Sequence, residues 1–252
     1  MPRNEFFYIP PLQCALAKHP HTGQRLILKD EEHRHLFKVL RHQVGDRVFA
    51  TTGDGRTFEC EINSIEKHQS ILTIQNMTME MGEPKFKLTI AQAVPKLNRF
   101  EWFLEKAVEI GAGEIWPMQT QFTEIFPNKI KTERWQKILL TAMKQSGRSR
   151  LPALNELRSF DDILGTTQQF DITIIAHAPI PAKAATWSKT TTVSNAHSGL
   201  LLIGPEGGFS ETELEKAIES GCHFLHLGST RLRSETAGIV AAALVLNQME
   251  NR

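Results

Sequence analysis

The stretch "LLIGPEGGFSETELEKAIESG", residues 201–221, decides the fold of this chain. Its apolar run predicts a buried strand, its glycines and proline predict a tight loop, and a helix follows. Ser210 and Glu213 have the spacing of a capping box, and Phe209 and Leu214 have that of a hydrophobic staple. A loop between a buried strand and a helix lies at the carboxyl end of that strand, where open α/β folds bind their ligands.

The glycines of this loop do not form a phosphate loop or a dinucleotide loop. No Gly-Lys-Ser/Thr follows them, and the GxGxxG spacing is missing. Glycine residues also allow a backbone to approach a ligand closely, which indicates a different kind of ligand. A purely structural turn between strand and helix is the alternative, and the loop by itself leaves both interpretations open.

A second loop, "HLGSTRLRSETA" (226–237), also follows an apolar strand and opens a helix. It contains Gly228, Arg231, Arg233 and Glu235. Two polar loops at the ends of two strands, which we expect to be neighbours, predict one site. The alternatives are a solvated loop for the arginines and, for Glu235, a first-turn carboxylate that favours the helix N-terminus.

Strands alternate with helices from Lys87 onward, which predicts an α/β domain with a mostly parallel sheet. The last helix of this domain, over 234–250, is apolar on nearly every side. We therefore expect it to be buried, in part against a second copy of the chain. The segment 179–198 is rich in Thr, Ser, Ala and Pro and is predicted to be a surface loop.

The first seventy or so residues have a different pattern. A helix is predicted over 30–42, with Leu36, Val39 and Leu40 on its inner side. Short strands around the "GDG" turn at 53–55 predict a small β-barrel or half-barrel. "MGEPK" (81–85) is then a plausible linker between two domains.

Composition excludes several classes of protein. The net charge of +1 gives no global attraction to polyanions, so RNA binding would need local clusters of Lys and Arg. Three isolated cysteines argue against a disulfide framework, and six of the ten histidines lie in residues 1–72 without the partners of a zinc site. We therefore expect no metal. No apolar run is long enough for a signal peptide or a membrane span, so a cytoplasmic protein is expected.

Taken together, the sequence resembles the bacterial 16S ribosomal RNA uridine N3-methyltransferases of the SPOUT superfamily. The paired "GPEGG" and "LRSETA" signatures are the specific part of the resemblance, which extends over essentially the whole chain. The segments that carry it are "HRHLFKVLRHQVGD" (33–46), "FEWFLEKAVEIG" (100–111), "KQSGRSRLP" (144–152), "LLIGPEGGFS" (201–210) and "LGSTRLRSETA" (227–237).

The resemblance implies a fold and an assembly. Residues 84–252 would form a SPOUT methyltransferase domain with a mostly parallel sheet and a deep trefoil knot, an exception to the rule against threaded chains. Residues 1–75 would form a PUA-like RNA-binding β-barrel domain. The family also implies a homodimer whose site lies beside the dimer interface.

The resemblance further implies that the knot loops bind S-adenosylmethionine, mostly through backbone groups. This cofactor has no phosphates, which explains why the first loop needs no lysine. Carried over to this chain, the cofactor pocket comprises residues at the ends of three strands and in both loops: His177, Ile203, Gly204, Gly208, Leu227, Gly228, Leu232 and Thr236.

The implied reaction is transfer of the sulfonium methyl group to nitrogen 3 of a uridine. Because that nitrogen carries a proton at neutral pH, the site needs a proton acceptor or a cation that stabilises the developing charge. Arg233 is the expected cation, and Glu235 is expected to orient Arg233 or to accept the proton, with Glu206 as second choice. The alternatives are an RNA-binding protein with an inactive transferase domain, and a methyltransferase that acts on another RNA.

The expected partner is small-subunit ribosomal RNA, either naked or in the assembled 30S subunit. Arg34, Lys38 and Arg41 lie at i, i+4 and i+7 of the helix predicted over 30–42 and are expected to contact RNA phosphates. Three further RNA contacts are expected at Lys96, Arg148 and Arg231. A strand-end lysine and a solvated basic helix end are the alternatives for Lys96 and Arg148.

Overall fold

The computed structural model describes residues 6–11, 21–95, 97–123, 132–188 and 195–251. The chain packs as two units, residues 1–83 with 143–151, and residues 84–142 with 152–252. The ranges predicted from the sequence, 1–75 and 84–252, did not include the return of segment 143–151 to the first unit. The two units are described separately.

The first unit is built on a five-stranded sheet in the order β1-β3-β4-β5-β2. Phe58, Cys60 and Ile62 alternate along one strand and are fully buried, as the sequence predicts. They belong to one apolar cluster to which all five strands contribute. The strands are β1 (Phe6–Tyr8), β2 (Arg25–Lys29), β3 (Arg47–Thr51), β4 (Arg56–Ile65) and β5 (Gln69–Met79).

The helix predicted over 30–42 is wrong in its length and in its inner face. Helix α1 covers Asp30–Arg34, and a π-helical turn follows over His35–Val39. In that turn the amide of Leu40 donates to the carbonyl of His35, five residues back. The wider turn changes the direction of successive side chains, so Leu36 is buried while Val39 is 64% exposed.

The second unit contains an eight-stranded sheet in which every strand pairing between described residues is parallel. Seven strands follow the order β11-β13-β10-β12-β6-β7-β8, and β9 also pairs with β7. The strands are β6 (Lys87–Ala93), β7 (Glu114–Gln119), β8 (Ala153–Leu154), β9 (Arg158–Ser159), β10 (Ile172–Ala176), β11 (Ala185–Thr186), β12 (Ser198–Ile203) and β13 (His223–Leu225).

Strand β10 lies between β12 and β13, which corrects one expectation. The two strands that lead into the glycine loops are therefore not neighbours, as the sequence suggested, but the two partners of a third strand. All three are parallel, so their carboxyl ends meet at one edge of the sheet. This arrangement brings the loops together across the end of β10.

The described residues form five further helices, besides a 3-10 turn at Thr167–Gln169: α2 (Leu97–Ile110), α3 (Thr132–Ser146), α4 (Phe160–Leu164), α5 (Glu211–Glu219) and α6 (Ser234–Glu250). Helix α2 buries its apolar inner face completely, including Phe100, Phe103 and Leu104. It ends at Gly111, whose φ of 113° is favourable for glycine alone.

Helix α6 approaches the sheet closely at Gly238. A Cβ there would come within 2.3 Å of the Gln92 side-chain oxygen and within 2.9 Å of the Phe103 ring, so a side chain is excluded. Farther along, Val245 and Leu246 are buried, whereas Leu244 is 48% exposed. Seven of the seventeen residues of the helix are buried, so the prediction of a buried helix holds for one side, and the helix keeps an exposed apolar part.

The segment predicted as a surface loop over 179–198 is partly ordered into the sheet. Strand β11 lies at the sheet edge, and the next residue, Trp187, is buried. Residues 189–194 of this segment lie outside the described part of the chain. Among the described helices, none is both long and apolar enough to cross a membrane.

Candidate active site

A cavity of about 510 Å³ lies at the carboxyl ends of three strands of the second unit. Strands β10, β12 and β13 end at Ala176, Ile203 and Leu225, and each of these residues lines it. The remaining wall comes from the segments that follow the strands, 177–179, 204–209 and 226–232, and from Ser234 and Ala237. The cavity thus occupies the position at which open α/β sheets bind their ligands.

The first loop, residues 204–209, is held in shape by its helix. The predicted capping box is confirmed: the Ser210 amide donates to the Glu213 carboxylate at 2.8 Å, and the Glu213 amide donates to the Ser210 hydroxyl at 3.3 Å. Glu213 also accepts from the Gln121 amide at 2.9 Å. Gly208 has a φ of 75°, which permits the turn into the helix.

The second loop, residues 226–233, is joined to the first by direct hydrogen bonds. The Ser234 hydroxyl donates to the Gly204 carbonyl at 2.5 Å and accepts from the Gln92 side-chain amide at 2.8 Å. The Arg231 guanidinium donates to the Glu206 carbonyl at 3.2 Å. The prediction that these loops lie side by side is confirmed. Sequence analysis missed Gln92, whose one signal is a polar residue within an apolar strand.

Seven of the eight predicted cofactor residues line the cavity: His177, Ile203, Gly204, Gly208, Leu227, Gly228 and Leu232. Burial lowers the pKa of His177 below its ordinary value, which favours the neutral ring. Thr236 is not part of the cavity wall, although the structure describes it fully. Ser234 and Ala237, three residues apart on α6, face the cavity, and the helical rotation therefore directs Thr236 elsewhere.

The two residues predicted to act in catalysis differ in their surroundings. Arg233 is exposed, directly precedes α6 and does not line the cavity. Glu235 is buried in the first turn of α6. Its cationic neighbour among the described residues is Arg99, with 3.7 Å between Nε and Oε1, whereas a pairing with Arg233 was expected. Glu206, the second-choice carboxylate, lines the cavity and accepts from the same Arg99 at 3.0 Å.

The residues predicted to contact RNA differ in their surroundings. Arg34, Lys38 and Arg41 are exposed, but they do not share one helix: Arg34 ends α1, Lys38 lies in the π-helical turn, and Arg41 follows with a φ of 58°. Arg231 lines the cavity. Lys96 lies outside the described residues.

The expectation for Arg148 is wrong. Its side chain is 3% exposed and donates to the Glu83 carboxylate at 2.6 Å. The other two cations of the predicted basic cluster are also paired, Lys144 with Glu32 and Arg150 with Glu80. The cluster therefore holds segment 143–151 within the first unit instead of presenting a free basic surface.

The described ranges contain no cluster of metal ligands. There, His, Cys, Asp and Glu side chains do not assemble into any group of three that could hold a metal ion. Cys60 and Cys222 are buried thiols, and burial raises the pKa of Cys222 to about 12.

Comparison with known proteins identifies the family. The family profile of the RNA methyltransferase domain matches residues 82–246, and that of the RNA methyltransferase PUA domain matches residues 28–75. The chain is 31% identical over 227 residues to the ribosomal RNA small subunit methyltransferase E of Bacillus subtilis, covering 87% of this chain and 89% of the relative.

Solved structures agree. A ribosomal RNA small subunit methyltransferase E from Neisseria gonorrhoeae, bound to S-adenosyl methionine, superposes with a TM-score of 0.82 at 26% identity, over 96% of this chain and 97% of its own. A probable rRNA-methyltransferase from Porphyromonas gingivalis gives a TM-score of 0.82 at 30% identity, over 98% and 100%. With its two profiles matched in order and its glycine loops joined around one cavity, the chain belongs to the RNA methyltransferase family that includes the ribosomal RNA small subunit methyltransferases E.

Proposed function

We propose that this chain transfers the methyl group of S-adenosylmethionine to nitrogen 3 of a uridine in 16S, small-subunit ribosomal RNA. The observation that carries the proposal is the cavity in which the two glycine loops meet at the ends of β10, β12 and β13. The family supports methyl transfer to RNA, and the names of the relatives support the small ribosomal subunit. The choice of nitrogen 3 rests on the resemblance of the sequence motifs.

The cavity suits an adenosine-type cofactor. A Cβ at Gly228, where φ is 112°, would meet no atom within 4 Å, and one at Gly208 would meet the His177 ring alone, at 3.9 Å. The backbone at both glycines therefore borders open space that a ligand can approach. We propose that the seven residues from His177 to Leu232 that line the cavity hold S-adenosylmethionine, which supplies the activated methyl group when bound.

Methyl transfer also requires that the proton on nitrogen 3 of the uridine is removed. Glu235 is the proposed proton acceptor, because it is a buried carboxylate in the first turn of α6, next to Ser234, which lines the cavity. Arg233 is exposed, directly precedes α6 and is the proposed cation that stabilises the charge on the uridine oxygens. Nitrogen 3 is paired within a double helix, so the target uridine must be unpaired or flipped out.

The first unit is the proposed RNA-binding module. We propose a PUA-like domain over residues 1–75, with Arg34, Lys38 and Arg41 on phosphates, and a transferase domain over 84–252 that contains the trefoil knot. Arg231 would contact RNA at the cavity. The exposed apolar residues Trp102 on α2 and Leu244 on α6, 43% and 48% exposed, favour a homodimer that covers them.

The proposal is tested by incubating the wild-type chain and tritiated S-adenosylmethionine with naked 16S RNA and with assembled 30S subunits. Digestion to nucleosides and mass spectrometry should then find 3-methyluridine in at least one substrate. A methyl group on another atom or another base would refute the choice of nitrogen 3. Tight cofactor binding without transfer to either substrate would instead indicate an RNA-binding protein with an inactive transferase domain.

A further inference from the structure

We propose that Arg99 is a positioning residue that holds two carboxylates in their places for methyl transfer, that of Glu206 in the first cavity loop and that of Glu235 in α6. The inference rests on the proposed function and concerns the same site. Sequence analysis did not select Arg99, which lies in the first turn of α2 and carries no motif signal.

The Arg99 guanidinium contacts the carboxylates of both Glu206 and Glu235. Its Nη1 donates to Glu206 Oε1 at 3.0 Å, and its Nε lies 3.7 Å from Glu235 Oε1. Glu206 belongs to the loop after β12, whereas Glu235 begins the helix after the second loop. Different nitrogens serve the two contacts, which a planar guanidinium permits and the single ammonium of a lysine does not.

The two carboxylates differ in their exposure. The Glu206 side chain is 49% exposed, whereas that of Glu235 is 8% exposed. An exposed ion pair contributes little to stability, but a buried carboxylate without a cation is costly. Among the described residues, Glu235 Oε2 has no hydrogen-bond partner. Arg99 is thus the cation that fixes the Glu235 carboxylate while one of its oxygens stays free to accept.

The contacts of Arg99 are separate from those that hold the loop backbone. The backbone of the first loop is joined to α6 through the bond from Ser234 to the Gly204 carbonyl, in which Arg99 takes no part. Loss of Arg99 should therefore disturb the carboxylates more than the cofactor pocket. This separation predicts an effect on the rate of transfer larger than that on cofactor affinity.

The test compares Arg99→Met and Arg99→Lys with Arg134→Met, which removes the 2.6 Å pair with Glu101 on the same unit. We expect Arg99→Met to lower kcat about tenfold to a hundredfold, because misplaced catalytic groups cost that much. The kcat of Arg99→Lys should lie between that of Arg99→Met and that of the wild type. The Kd for S-adenosylmethionine, measured by calorimetry, should change less than about threefold. Arg134→Met should match the wild type in both quantities.

A double-mutant cycle supplies the readout that a merely structural role would not give. If Arg99 acts in part through Glu206, Arg99→Met combined with Glu206→Gln should be no slower than Arg99→Met alone. Wild-type kcat in folded Arg99→Met, or full additivity in the cycle, would overturn the inference. If Arg99→Met does not fold, the folded variant Arg99→Lys tests the inference in its place. A wild-type kcat in Arg99→Lys would then also overturn the inference. If the wild-type chain transfers no methyl group, the proposed function is refuted. The inference about Arg99 is tested separately, by the ratio of the kcat of the variant to that of the wild type.

Discussion

Each unit of the molecule buries a carboxylate beside an arginine, and the two pairs differ in how fully they are satisfied. In the first unit, Glu83 and Arg148 are both 3% exposed, and Glu83 also accepts from two backbone amides, at 2.9 and 2.8 Å. In the second unit, Glu235 has a 3.7 Å contact with Arg99, and its second oxygen has no described hydrogen-bond partner.

The difference separates a structural carboxylate from a candidate functional one. A buried charge whose hydrogen bonds are all made holds its surroundings together and has no capacity left for a substrate. A buried carboxylate with a free oxygen costs stability, and folded proteins usually keep such groups where chemistry needs them. Glu83 therefore belongs to the fold, whereas the free oxygen of Glu235 supports the proposal that it accepts the proton.

Arg148→Met should have the largest effect, and it should be on stability. It leaves Glu83 buried without its cation, which costs about 3–5 kcal/mol of unfolding free energy. Hydrogen exchange measured on peptides from β4 and β5 should show this loss. All four tryptophans belong to the second unit, so their fluorescence should not change. Arg150→Met is the control, because its pair with Glu80 is exposed and should contribute less than about 1 kcal/mol. Equal losses of unfolding free energy in both variants would mean that the buried pair of Glu83 stabilises the first unit no more than an exposed pair does.

Glu235→Gln should have the next largest effect, and it should be on activity. The amide keeps the shape of the side chain but cannot accept the proton, so kcat should fall about a hundredfold. Stability should change little, because Arg99 keeps Glu206 and is itself 30% exposed to water. Steady-state methyl transfer and thermal unfolding measure the two quantities. Glu101→Gln, on the surface pair with Arg134, is the control. A stability loss as large as that of Arg148→Met, with normal kcat, would make Glu235 structural.

Ser234→Ala should have a moderate effect, on cofactor affinity. It removes both hydrogen bonds of the link from Gln92 to the Gly204 carbonyl. Each of the two hydrogen bonds contributes about 1 kcal/mol, and part of this loss also affects the protein without cofactor. We therefore expect the Kd for S-adenosylmethionine to rise about tenfold. Ser234→Thr keeps the hydroxyl and should bind nearly as the wild type does. Calorimetry that finds both variants equal to the wild type would show that the link does not shape the pocket.

Much of the fold could be predicted because its signals are local. The inner face of α2, the strand alternation around Phe58 and the capping box at Ser210 each follow from residues a few positions apart. These patterns depend on helical and strand periodicity, which the sequence displays directly. The family motifs likewise identified the two loops that form the cavity.

Most of the expectations that failed concern contacts between distant parts of the chain, whereas the helix predicted over 30–42 failed through a local π-helical turn. That β10 separates β12 from β13, and that segment 143–151 returns to the first unit, depends on pairings that no local pattern records. The same holds for Arg148, which appears basic and available in sequence but has a carboxylate 65 residues away. Arg99 was missed for this reason, since its partners lie 107 and 136 positions onward.

The exposed cations of the first unit extend the comparison to RNA and should show the smallest effect. Arg148 is paired and buried, whereas Arg41 is exposed on the same unit. If Arg41 contacts one phosphate, Arg41→Gln should weaken RNA binding a few-fold and reduce the slope of log K against log salt by about 0.7 to 0.9. Cofactor affinity should stay the same, because the cavity belongs to the second unit. Filter binding at several salt concentrations measures the slope. An unchanged slope would mean that the first unit holds RNA through other residues, since a lost phosphate contact must release fewer counterions.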